Sequence, residues 1–102
     1  PAIQSALSQG TNVVYQGLDD AGIVRYIGIT SRDAVVRFGE HLSSLSERAG
    51  LNYSVIPGAT NLSRIAARVW EQTLINQYGL ENLFNKINSI APKYWAQYGI
   101  FP

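Results

Sequence analysis

An α+β fold is predicted: a small three-stranded antiparallel sheet flanked by helices. Three observations predict it. Two β-rich runs, at 12–16 and 23–29, flank the turn-forming "LDDAG". Two segments with helical apolar spacing follow, at 31–49 and 61–78. A third β-rich run, "LNYSVIPG" at 51–58, stands between them. At 102 residues the chain suffices for one core and not for two, so residues 1–102 are read as a single domain.

Residues 1–10, "PAIQSALSQG", are small and polar and form a lead-in. A hairpin follows. Closing it with a four-residue turn, Asp19–Gly22, sets Leu18 against Ile23, Tyr15 against Tyr26 and Val13 against Gly28. Alternation along strands puts this set on one face, and a two-residue slip preserves that while a one-residue slip destroys it. The first helix opens at Thr30 or Ser31 and stops at Gly50. Its predicted core stripe is Val35, Phe38, Leu42, Leu45 and Ala49, with Arg37, His41, Ser44 and Arg48 in the row beside it. Pro57 ends the third strand. Asn61 or Ser63 opens the second helix and Gly79 closes it. The tail is expected to hold helical turns near 81–84 and 93–98.

Composition narrows the chemistry. There is no cysteine and one histidine, which excludes disulfides and thiolate zinc sites and disfavours a histidine metal cage. No apolar run reaches the ~18 residues of a membrane span. Net charge is +1, so contact with a polyanion requires a local cluster. The chain begins with Pro1 and contains no methionine, and is read as a piece cut from a longer polypeptide.

Glu71 stands in an apolar row with Ala67, Leu74, Ile75 and Tyr78. A carboxylate there is costly unless paired or metal-bound. Arg68, one turn earlier, offers a pair; a hard divalent cation is the other reading, since Mg²⁺ needs one carboxylate when a phosphate supplies further oxygens. Arg37 and His41, one turn apart, read either as a solvated flank or as a phosphate clamp with a proton carrier beside it. The tyrosines are good strand residues, and would act as bases only with cations near enough to favour the phenolate.

The pattern "VVY" (13–15), ten residues, then "YIG" (26–28) and "GITSRDAVVRFGEH" resembles the GIY-YIG nuclease superfamily. Arg37 and His41 stand where that family has an arginine on the next helix and often a histidine one turn later. Glu71 in "RVWEQTLI" resembles its glutamate, and Asn85 in "LFNKIN" its asparagine, with Asn88 as the alternative. Each motif alone is weak; five in this order, over residues 13 to about 88, make a specific pattern. "VVY" departs from "GIY" at two loosely held strand positions and keeps the tyrosine.

The resemblance implies metal-dependent hydrolysis of phosphodiesters, usually in DNA, with RNA as the other substrate. Tyr15 would act as general base or assist one. Tyr26 would orient the water or the base, Arg37 would stabilise transition-state charge, and His41 would move a proton or position Tyr15. Glu71 would hold one Mg²⁺ or Mn²⁺ ion, and Asn85 would brace the site. Gly28 would leave room for the substrate backbone, and Arg25 and Arg48 would attract it. The tail resembles the C-terminal end of bacterial polymorphic toxins. That implies an exported effector acting in the cytoplasm of a target cell and neutralised in its producer by an acidic immunity protein over Arg25, Arg32, Arg37 and Arg48. The alternatives are a nuclease domain of a repair, restriction or mobile-element protein, or a non-catalytic binding module on the same fold.

Overall fold

The structure is a computed structural model, and it describes residues 10–102; the lead-in, except Gly10, lies outside the described residues. Strands β1 (Val13–Leu18), β2 (Val24–Thr30) and β3 (Asn52–Val55) form an antiparallel sheet in the order β2-β1-β3. Helix α1 (Ala34–Leu42) follows β2, and helix α2 (Arg64–Tyr78) follows β3. Short 3₁₀ turns occupy Glu47–Gly50, Leu80–Asn82, Pro92–Tyr94 and Ala96–Tyr98. The α+β architecture is therefore the expected one.

The hairpin register differs from expectation by two residues. Asp19 pairs with Ile23 through a 2.9 Å backbone bond, so the loop is Asp20–Gly22 rather than Asp19–Gly22. The Asp19 carboxylate accepts from the amides of Ala21 and Ile23, and Gly22 takes a positive φ of 79°. A bulge between Gly17 and Leu18 adds a second one-residue shift. Tyr15 consequently faces Gly28, and Tyr26 faces Gly17. Two single shifts restore the phase, so Tyr15 and Tyr26 still share a face, with ring centroids 6.1 Å apart.

That face carries two rows across the three strands: Tyr26–Gly17–Tyr53 and Gly28–Tyr15–Val55. Each glycine yields space to a ring. A Cβ on Gly17 would meet Tyr53 and Leu51, and one on Gly28 would run into the Tyr15 ring. The opposite face sends Val14 and Ile27 into the main core with Ala59, Leu62, Leu83, and Ala67 and Ile75 of α2.

Helix α1 is shorter than its apolar spacing predicts. Asp33, not Thr30 or Ser31, caps it by accepting from the Val35 amide. It ends well before Gly50 because serines offer competing bonds: the Ser44 hydroxyl donates to the His41 carbonyl, and Ser46 caps the next 3₁₀ turn. The helix is also rotated. Val35, Leu42 and Leu45 of the predicted stripe are exposed, while His41 is buried beside half-buried Phe38. The sheet face beneath is tyrosine-rich, and a buried tyrosine hydroxyl needs a polar partner that leucine cannot supply.

Strand β3 is four residues and stops just before Pro57, as expected, because Pro57 and Gly58 turn the chain at once. Ser63 opens α2 by accepting from the Ala66 amide, and Gly79 closes it as expected.

Candidate functional site

Tyr15 is fully buried, and its hydroxyl lies 2.7 Å from Nε2 of His41. Phe38 meets the Tyr15 ring edge-on at 5.3 Å, and Tyr53 stacks on His41 at 4.8 Å. Tyr53 is pinned in turn, its hydroxyl donating to the Arg48 carbonyl at 2.6 Å. Burial raises Tyr15 above the ordinary phenol range; neighbouring Tyr26 adds to this and Arg37 opposes it. Burial, with the cations Arg37 and Arg48, pushes His41 down to about 4. The imidazole is thus neutral at pH 7, and in its Nδ1–H tautomer it accepts the Tyr15 proton. At rest the pair is a neutral phenol hydrogen-bonded to a neutral imidazole, and both shifts keep the proton on Tyr15.

Arg37 is half-buried beside this pair. One of its nitrogens donates to Glu40 at 3.0 Å, and the same carboxylate is gripped by Arg32 at 2.7 and 2.8 Å. Arg32, and then Arg37, hold the Glu40 carboxyl down to about 2. The expected phosphate clamp is therefore shared with a carboxylate.

A cleft of about 260 Å³ opens at the edge of β2. Tyr26, Arg48, Arg64, Arg68, Glu71 and Lys86 border it, with the Asn85–Ser89 backbone segment as one wall. The Arg48 guanidinium lies over the Tyr26 ring, 4.5 Å from its centroid. Burial raises the Glu71 carboxyl, against smaller opposing effects of Ser89, Arg64 and Arg68. The Arg68 pair offered as an explanation of Glu71 is not formed: among the described residues no cation comes within 4.0 Å of its carboxylate. Four of the eight Lys and Arg residues border the cleft, against one of seven acids. A chain of net charge +1 thus concentrates its cations in one place.

The two asparagines have separate tasks. Asn85 accepts from the Ile27 amide at 3.0 Å and donates to the Ile27 carbonyl at 2.7 Å, completing the free edge of β2 next to Tyr26. Asn88 accepts from the buried Gln72, the neighbour of Glu71 on α2.

The predicted residues do not share one groove. Tyr15 under α1, and Arg37 and His41 on α1, lie behind Tyr26, whereas Glu71 projects from α2, which packs on the opposite face. Tyr26, on the edge strand, touches both groups. Two substrate assignments change. Arg25 bonds Asp19 at 3.0 Å and the Asn82 carbonyl at 3.1 Å, so it ties the hairpin turn to the tail and does not border the cleft. The space beside Gly28 is filled by Tyr15, not left for a substrate. Arg48 does border the cleft. Arg64 was missed and Arg68 was read only as a partner for Glu71, although their spacing of seven and three before Glu71 places all three on one helix row. Tyr53 was missed because its neighbours lie across the sheet.

The donor set suits one kind of metal binding. Among the described residues no three His, Cys, Asp or Glu side chains gather to form a cage. Glu71 is the single carboxylate on the cleft, amid cations. This fits an ion that keeps most of its waters and arrives with phosphate oxygens, and does not fit an all-protein cation site. No helix among the described residues is long and apolar enough to cross a membrane. No family model matches the chain, and neither a curated protein nor a solved structure matches it significantly.

Proposed function

We propose that this domain is a GIY-YIG-type endonuclease that hydrolyses phosphodiester bonds, DNA being the substrate, with Mg²⁺ or Mn²⁺ at Glu71. The observation that carries the reading is Tyr26, which joins the buried Tyr15–His41 pair to a cationic cleft containing one unpaired carboxylate. Arg48, Arg64 and Arg68 draw the phosphate in. An arriving phosphate competes with the Tyr26 ring for Arg48, and withdrawal of that guanidinium uncovers that ring. Tyr26 then orients the attacking water. Tyr15, hydrogen-bonded to the neutral His41, and Arg37 assist from behind Tyr26 by holding its ring and setting the local charge. Glu71 would hold the divalent ion, and the chemistry that ion would supply is polarisation of the phosphate and stabilisation of the leaving oxygen. Asn85 holds β2, and with it Tyr26, in place.

Supercoiled plasmid incubated with the protein should be nicked or linearised in Mg²⁺ and left intact in EDTA. Intact plasmid and intact RNA under both conditions would contradict the reading.

The cellular role we infer is that of an antibacterial toxin domain, delivered into a target cell's cytoplasm and silenced in its producer by an acidic immunity protein. Because Asp19 and Glu40 already neutralise Arg25, Arg32 and Arg37, and Glu47 pairs with Lys86, the arginines open to that partner among the described residues are those of the cleft, Arg48, Arg64 and Arg68. Its association rate should fall with added salt and with Arg64→Ala or Arg68→Ala. A rate indifferent to both would place the partner elsewhere.

A further inference from the structure

Beside the cleft, two further hollows follow along α2. Arg68 and Ser89 border both the cleft and a hollow of about 310 Å³ that contains Tyr94 and Tyr98. Ile65 and Tyr98 border that hollow and a larger, apolar one of about 610 Å³ floored by Trp70. The three therefore adjoin one another in a row, cationic at one end and aromatic at the other. Tyr94 is 45% exposed and Tyr98 37%. These rings stand on a fixed platform: the Trp95 indole donates to the Ile90 carbonyl at 2.8 Å, Ile100 is buried, and Asn76 of α2 donates to the Phe101 carbonyl. Lys93 adds charge 5.1 Å from the centroid of the Tyr94 ring. Among the described residues Arg68 has no carboxylate partner, and the nine preceding the described part contain no acid.

We propose that this groove is a track for single-stranded nucleic acid, its backbone on Arg68 and the cleft cations and its bases stacked on Tyr94 and Tyr98. The inference rests on the reading of the Glu71 cleft as a phosphate site. Exposed rings beside a cationic channel suit splayed bases, which present their faces to protein; bases within a duplex are already stacked on each other. The adjoining charge selects a polyanion over an apolar protein segment.

The test uses the full chain carrying Glu71→Gln, in EDTA so that nothing is cut, with a labelled oligothymidylate and a DNA duplex of equal length followed by fluorescence anisotropy. The single strand should bind more tightly. Tyr94→Ala and Tyr98→Ala should each weaken it about tenfold, the range expected for loss of one stacked base. Tyr94→Phe and Tyr98→Phe, which keep the ring and the fold, should bind within about twofold of the parent. Arg68→Ala should lower the slope of log affinity against log salt by about 0.7. Equal affinity for duplex and single strand, or alanine variants that bind as the parent does, would overturn the proposal. So would self-association abolished by Tyr98→Ala in a protein that binds no single strand, which would assign the groove to a second copy. Ring-dependent binding, with a parent chain that cuts neither duplex nor single strand in Mg²⁺, would remove the nuclease reading and leave this one standing. Cleavage of single-stranded DNA in Mg²⁺, with binding of the single strand also unchanged by the alanine substitutions, would do the reverse.

Discussion

Gly28 and Gly17 decide where the tyrosines of the sheet can lie. Each faces a neighbouring strand's aromatic side chain and leaves it room to lean over the backbone. Gly28→Ala places a methyl group against the buried Tyr15 ring, which has no space to retreat; it should cost about 1–3 kcal/mol of stability. Urea unfolding checks this, and a neutral result would mean that the ring adjusts freely. His41 makes a second prediction. Its folded value of about 4 lies below the ordinary 6.5, so the unfolded chain takes up the proton first. Its contribution is intact above pH 6.5 and is lost as pH falls from 6.5 toward 4. His41→Gln should flatten stability over that window relative to the parent; parallel pH curves would place the imidazole in contact with water.

Helix α1 shows what apolar spacing can miss. Leu42 and Leu45, counted as core by their spacing, are 57% and 106% exposed. Leu42→Ser and Leu45→Ser should therefore each change stability by less than about 0.5 kcal/mol. Ile75→Ala, in the genuine core, should cost about 2–5 kcal/mol. Equal losses would restore the predicted stripe. Helix α2 was more legible, since Ser63, Gly79 and the apolar row around Ile75 agree with one another. The difference is physical. α2 covers an aliphatic face, where hydrophobic period decides the rotation. α1 covers a tyrosine-rich face, where the hydroxyl of Tyr15 and the ring of Tyr53 select His41 and Phe38 instead. The hairpin was legible in phase but not in register, because turn and bulge each moved it by one residue.

Across the whole molecule, charge is sorted in a way that a net of +1 conceals. The arginines of the hairpin and α1 are consumed by Asp19 and Glu40, while those around Glu71 are left without carboxylate partners. Which arginines are free depends on contacts between distant segments, so the cleft cations could not be sorted from the others in the sequence. Glu71 itself was legible as a carboxylate out of place in an apolar row. It also tests the account most directly. Its carboxyl is raised by burial, so in the absence of an ion the charged form costs stability at neutral pH, and that cost vanishes as pH falls below the unfolded value. Cleavage of plasmid in Mg²⁺ by Glu71→Gln, measured with its melting temperature, separates function from fold. Turnover should fall by about 10²-fold or more, with a melting temperature in EDTA equal to or above that of the parent. Retained Mg²⁺-dependent cleavage by a folded Glu71→Gln protein would contradict it.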